Sequence, residues 1–391
     1  MKRNVIAAVC GTLLWFFSAD AQGQTTYRLR ADAYASGSTS PAGLVFLQGE
    51  ARTPSIFNSE AAIWVGSGET QADVLVMAIR ARDQLGRGEA RIGRMMVSMG
   101  AIRPVHIDGA DAVVRLPWGS SLEVFGGLPV AYAAAPRDYT WTIGGRASQQ
   151  IRRIGTIGLS YQHARQEGKP AFEEIGVDGA ASLGRYFDGA FTTSVDMLRI
   201  GISDARISIA TRFDPVRIEL YGVRRSPSRL LPATSLFSAL GDVPSDRAGG
   251  SIFWRAAPRL DVRGDGALES LGNSLGGQFF LRANLRLDDL GNGVLGFELR
   301  RQGAPSSAWT GLRATARVPL NERIFASTEV ELVWPDDPRG RGSVWPWGIV
   351  ALRYSPRPFW ELSGAVEANA SPTNTAAVRA LARLSHTWSG P

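Results

Sequence analysis

The chain has 391 residues, a formal net charge of +7 and a mean hydropathy of −0.06. Its single cysteine is Cys10, so from residue 22 onward no disulfide, thiolate metal site or cysteine nucleophile can form. Apart from Lys2 and Lys169 the basic side chains are all arginine, and their spread along the chain, with no basic stripe, argues against nucleic acid as a partner.

The N-terminus reads MKRNVIAAVCGTLLWFFSADAQ. Lys2 and Arg3 precede an apolar run from Val5 to Phe17, and Ala19-Asp20-Ala21 follows, which is the pattern of a cleaved secretory signal. The run is about 13 residues long, short of the roughly 18–20 a membrane-spanning helix needs. Residues 1–21 are therefore expected to be a signal peptide and 22–391 the exported domain, at +6 once Lys2, Arg3 and Asp20 are lost. No later stretch is apolar for long enough to form a transmembrane helix.

Period-two alternation then recurs to the end of the chain. Tyr27, Leu29, Ala31 and Ala33 alternate with Arg28, Arg30, Asp32 and Tyr34, and Val216, Ile218 and Leu220 with Arg217, Glu219 and Tyr221. Phe279, Leu281, Ala283 and Leu285 alternate with Gln278, Arg282, Asn284 and Arg286, and Leu295, Phe297 and Leu299 with Glu298 and Arg300. Leu312, Ala314 and Ala316 oppose Arg313, Thr315 and Arg317. After the turn at 320–323, Ala326, Val330, Leu332 and Trp334 alternate with Ser327, Glu329 and Glu331. The last run sets Val378, Ala380, Ala382 and Leu384 against Arg379, Arg383 and Ser385.

These runs are about 9–12 residues long, the length of membrane-crossing strands and not the 5–6 of soluble sheets. Their polar face is charged strand after strand, and the apolar face is rich in Ala, Gly and Val, a surface suited to lipid but thin for a soluble core. Tyr27, Trp64, Trp118, Trp309, Trp334, Trp345, Trp347, Tyr354, Trp360 and Trp388 stand near run ends, as interfacial girdles would. The expected fold is all-β, one closed antiparallel transmembrane β-barrel. At about 20 residues per strand and connection it would have about 18 strands, within a range of 16–20. The runs 99–108 and 131–138 are ambiguous, and Asp108-Gly109 within VHIDGAD suits a type I′ hairpin turn.

The closing alternation of Val378, Ala380, Ala382, Leu384, His386 and Trp388 resembles the terminal strand of Gram-negative outer-membrane barrels of the porin type. Residues 86–130 resemble myxobacterial-type barrels that serve composite exopolysaccharide-export translocons. That resemblance implies a translocation pore in the outer membrane, working with a periplasmic polysaccharide-export protein. Other readings remain open: a stand-alone porin for small anionic solutes, a membrane-embedded hydrolase, or a soluble exported all-β binding protein.

The pore-lining candidates are Arg28, Arg30, Arg217, Glu219, Arg282, Arg286, Glu298, Arg300, Arg313, Arg317, Glu329, Glu331, Arg379 and Arg383. A turn near residue 321 pairs residues whose numbers sum to about 644, setting Arg313 opposite Glu331 and diagonal to Glu329. Arg28, Arg30, Arg80, Arg82, Arg282, Arg286, Arg379 and Arg383 have no obvious partner, and such an excess would favour anionic solutes or acidic polysaccharide. Leu230, Leu236, Phe237 and Leu240, within the gap 226–247, are too apolar for a solvated loop and are expected to fold inward as a constriction. His106, His163 and His386 are far apart, no Ser–His motif or phosphate-cradling glycine loop is present, and neither an enzyme nor a cofactor or metal site is expected.

Overall fold

A computed structural model describes residues 26–390 except 38–41, 53–56, 68–71, 131–140, 152–153, 227–228, 230–243, 273, 304–307, 338–342 and 371–375. The proposed signal peptide and Leu230, Leu236, Phe237 and Leu240 thus lie outside the described residues. The first strands are β1 (Thr26–Gly37), β2 (Ala42–Arg52), β3 (Phe57–Gly66), β4 (Ala72–Arg82), β5 (Gly88–Val97) and β6 (Val105–Arg115). Next come β7 (Ser120–Pro129), β8 (Trp141–Ile151), β9 (Gly155–Gln166), β10 (Lys169–Leu183), β11 (Phe187–Asp196) and β12 (Gly201–Phe213). β13 (Val216–Arg225), β14 (Ser245–Ala257), β15 (Leu260–Leu271), β16 (Ser274–Arg286) and β17 (Val294–Gly303) follow. The chain ends with β18 (Trp309–Pro319), β19 (Ile324–Pro335), β20 (Trp345–Arg357), β21 (Trp360–Asn369) and β22 (Ala377–Gly390).

Each strand pairs antiparallel with its successor, and β1 pairs with β22, closing a 22-stranded barrel. The expected 18 strands, and even the range of 16–20, are too few. The spacing is about 17 residues per strand and connection, because many connections are minimal. Those at 167–168, 214–215, 258–259 and 358–359 are two-residue turns. The uncounted strands lie mostly before residue 216, where glycine replaces apolar alternation: Gly144 and Gly145 in β8 face Phe125 and Val124 of β7. Asp108-Gly109 is likewise no turn. It sits inside β6, where Arg94 satisfies Asp108 and Gly109 lies so close to Gly127 that a Cβ would collide with the neighbouring backbone.

Both termini lie at one end of the barrel, which carries the short turns at 214–215, 258–259 and 358–359. The opposite end carries the long connections 98–104, 226–244 and 336–344. That asymmetry marks the terminal end as periplasmic. At about 4.8 Å per strand and a tilt near 40°, the wall is about 40 Å across, so side chains on opposite walls do not meet.

One face of the wall carries large exposed apolar side chains throughout, with Leu220 and Val350 both 63% exposed. A belt of this extent belongs against lipid. The alternate face holds the buried acids Asp32, Asp111, Asp178, Asp265 and Glu298, and lines the lumen. Trp254, Tyr354, Trp360 and Trp388 stand on the outer face near the periplasmic turns, and Trp141 and Trp334 near the long connections. Trp64, Trp309, Trp345 and Trp347 depart from the girdle expectation: they alternate in phase with the lumenal charges, and Trp347 Nε1 donates to Glu367 at 2.8 Å.

Candidate functional site

The hairpin β18–β19 has the register expected from its turn. Arg313 faces Glu331, Arg317 faces Ser327, and Leu312 faces Leu332 on the other side. Arg313 meets its diagonal neighbour Glu329 at 2.5 Å. The network spreads to the neighbouring strands: Glu298 takes a hydrogen bond from Arg300 and lies 3.3 Å from Arg282, and Arg300 also reaches Glu331 at 3.5 Å.

Following the register from strand to strand places nine residues in one row: Arg212, Arg217, Phe253, Arg263, Arg282, Glu298, Arg313, Glu331 and Trp347. A row runs perpendicular to the strands, and the strands tilt by about 40°, so it climbs about 3 Å along the barrel axis per strand. It begins at Arg212, beside the periplasmic turn 214–215, and ends at Trp347, beside the connection 336–344. The row is a spiral from one mouth to the other.

Its lower half is cationic. Arg212 faces Arg217 and Arg263 faces Arg282, and like charges directly opposite are destabilising. Arg217 has Glu219 at 3.5 Å and Arg282 has Glu298. Arg212 and Arg263 have no carboxylate partner among the described residues, and Arg263 instead lies over the Phe280 ring at 5.4 Å. Arg212, Arg217, Arg255 and Arg263 line a concavity of about 600 Å³ with only Asp214 and Glu219 as acids. A second concavity of about 470 Å³ adjoins it, where Arg206, Arg225 and Arg247 meet Asp204, Asp265 and Glu269.

Elsewhere most arginines expected to be partnerless have partners. Asp32 takes Arg30 at 2.8 Å and Arg383 at 2.9 Å, and Arg383 also reaches Glu361 at 3.4 Å. Arg80 pairs with Glu89 at 3.0 Å and Arg286 with Asp261 at 3.4 Å. Arg317 donates to the turn carbonyls of Gly291 and Asn292. Only Arg28, Arg82 and Arg379 of that set have no ion pair among the described residues. Asp32 and Arg383 are far apart in the sequence and meet only where the barrel closes, whereas the other partners lie on the same or the adjoining strand.

The connection 98–104 folds onto the inner wall, a feature the sequence reading missed. Arg103 forms a two-pronged pair with Glu174 of β10, whose side chain is only 2% exposed, stacks over Phe172 at 4.1 Å, and donates to the Arg229 carbonyl at 2.9 Å. Gly100 lies against Arg146 and Asp178, which pair at 2.5 Å. Met95, Val97, Met99, Ile102, Ile107 and Phe125 form a buried apolar cluster at the base of this strap. The run MMVSMGAIR, too apolar for a solvated turn, was the available signal.

No family model matches the sequence, and neither does any curated protein. Solved structures share the fold. The translocation pore of the P pilus usher PapC aligns with a TM-score of 0.52 at 8% identity, over 93% of this chain and 99% of that one. The siderophore receptor PirA from Pseudomonas aeruginosa aligns with 0.59 at 8% identity, over 94% and 80%. PapC within an E. coli P pilus tip assembly intermediate gives 0.54 at 9% identity, over 93% and 61%. With a closed ladder and an apolar outer belt, the chain is a β-barrel of the outer membrane with a channel-like architecture.

Proposed function

We propose that this barrel conducts anionic solutes across the outer membrane along its lumenal arginine row. The observation that carries the reading is the placement of Arg212 and Arg263 directly opposite other arginines, with no carboxylate partner among the described residues. Arginines set directly opposite one another in β-register, with Cβ atoms roughly 4.5–5.5 Å apart, are retained at a cost in stability, and they raise the local concentration of counter-ions. Repeated weak contacts along a spiral suit passage, because a solute must leave each contact as readily as it enters. In this reading Arg28, Arg217, Arg282, Arg286 and Arg379 line the path with Glu219, Glu298, Arg300, Arg313, Arg317, Glu329 and Glu331, while Arg30 and Arg383 are tied to Asp32.

Export of an acidic polysaccharide with a periplasmic partner fits the same wall, since a polyanion would follow the same row. The narrower claim concerns charge sign, and reversal potentials in planar bilayers under a KCl gradient test it. Anion selectivity that falls when Arg212, Arg217 and Arg263 are replaced by Gln is the expected result. Cation selectivity of the unaltered protein would refute it. Unchanged surface polysaccharide in a deletion strain would remove the export reading and leave the anion channel standing.

A further inference from the structure

Phe253 stands in the lower half of the arginine row with guanidinium-bearing neighbours on three sides. The register sets it between Arg217 of β13 and Arg263 of β15, and Arg255 follows two residues along β14 on the same face. Directly opposite side chains have Cβ atoms roughly 4.5–5.5 Å apart, so those of Arg217 and Arg263 are about 10 Å apart across the ring. The Cβ of Arg255 lies about 7 Å along the strand from that of Phe253. All three arginine side chains are exposed to the lumen, within reach of one group held above the ring.

None of them covers it. Elsewhere on the inner wall arginines lie over the rings: Arg263 over Phe280 at 5.4 Å, Arg247 over Tyr221 and Arg353 over Phe325 at 5.6 Å, and Arg383 over Tyr34 at 5.7 Å. Phe253 has no such guanidinium among the described residues and is 38% exposed. Its open ring forms part of the wall of the 600 Å³ concavity, a volume within the roughly 300–1,000 Å³ of small-molecule sites. Arg212, Arg217, Arg255 and Arg263 against Asp214 and Glu219 leave that concavity at +2. Asp261, 3.8 Å from Arg255, is shared with Arg286 at 3.4 Å, and that pair adds no net charge.

We infer that the concavity binds a phosphate monoester bearing an apolar ring, with the ring on Phe253 and the phosphate among Arg217, Arg255 and Arg263. A guanidinium fork matches phosphate oxygens two at a time. A phosphate monoester carries about −1.5 to −2 at pH 7, which answers a site at +2, whereas a carboxylate or a sulfate ester brings one charge. An aromatic or other flat apolar ring gains a stacking partner where the wall otherwise offers rings already covered by arginine. The inference rests on the anion path proposed above and names the solute class that its periplasmic end selects.

Isothermal titration calorimetry of the full barrel in detergent at low salt tests it, with phenyl phosphate as the probe. Phenyl sulfate has the same ring with one charge, and inorganic phosphate has the charge without the ring. Phenyl phosphate is expected to bind about fivefold more tightly than either. Phe253→Leu should remove its advantage over inorganic phosphate. Arg255→Gln should weaken both phosphates by about tenfold, the scale of one charge-assisted hydrogen bond. Both side chains are exposed, and heat-modifiable gel mobility verifies that the variants fold. Equal affinity for phenyl phosphate and phenyl sulfate would overturn the charge matching, and an advantage that survives Phe253→Leu would overturn the role of the ring. Failure of phenyl phosphate to bind a barrel that is anion-selective in KCl would overturn the site and leave the anion path standing. Binding by a cation-selective barrel would keep the site and refute the path.

Discussion

Replacing Arg212 and Arg263 together by Gln should move stability and selectivity in opposite directions. Each arginine faces another across the ladder, so removing one of each pair relieves a repulsion of roughly 0.2–1 kcal/mol, toward the low end because both side chains are exposed and screened. For an anion about 7 Å from each guanidinium in water, Coulomb attraction is about 0.6 kcal/mol per charge before screening. Screening leaves about 0.25 kcal/mol per charge at 0.15 M salt and about 0.5 at 0.01 M. Two charges therefore raise local anion occupancy about twofold at the higher salt and about fivefold at the lower. Reversal potentials at both salts measure this, alongside urea unfolding in detergent. The expected variant is no less stable, and its loss of anion preference grows as salt falls. A destabilised variant, or an unchanged permeability ratio at 0.01 M, would refute the claim that these side chains are held for solutes and not for the wall.

Glu174→Gln leaves Arg103 without its buried carboxylate, a loss in the range of about 3–5 kcal/mol for breaking such a pair. The strap 98–104 should detach, seen as larger single-channel conductance and new protease sensitivity near Gly100. Asp288, in the turn after β16, accepts backbone N–H bonds from Asn292 and Gly293, and these hold its pKa below the ordinary carboxylate value. A lowered folded-state pKa contributes stability above the unfolded value and loses it as pH falls through the folded one. The protection of the Asn292 and Gly293 amides, as exchange measured relative to the intrinsic rate at each pH, should therefore be high at neutral pH and fall below about pH 4, and Asp288→Asn should flatten that dependence. Spin labels at Leu312 and Val330 should report lipid, and labels at Arg313 and Glu331 water, whereas the reverse accessibility would invert the assigned faces.

What could be read from sequence was local. The β18–β19 register follows from a short turn and the alternation on either side, so Arg313 could be set opposite Glu331 without any knowledge of the barrel. Strand number could not be read this way. β8 and β11 carry glycine and small polar residues where alternation should announce a strand, because close backbone packing there takes the place of side chains. Asp108-Gly109 deceived for a related reason: the residues that favour a turn also serve a strand that must approach its neighbour closely and bind an arginine.

The arginine row lies on the far side of that boundary. Arg217 and Arg282 were legible as members of charged faces, but Arg212 and Arg263 gain their meaning only from what stands opposite them. Placing Arg212, Arg263 and Glu331 in one line requires the register of every intervening hairpin. A one-residue error in any of them moves a side chain to the lipid face. The same dependence explains why Arg383 looked partnerless until β1 met β22. Cross-strand repulsion at two steps of a row that alternates in sign from Arg282 to Glu331 is also the feature that packing alone does not account for. A wall selected only for stability would set Asp or Glu opposite Arg212 and Arg263, as it does opposite Arg313. On the proposed function, the effect of charge removal should be largest in the lower half of the spiral, next to the periplasmic mouth.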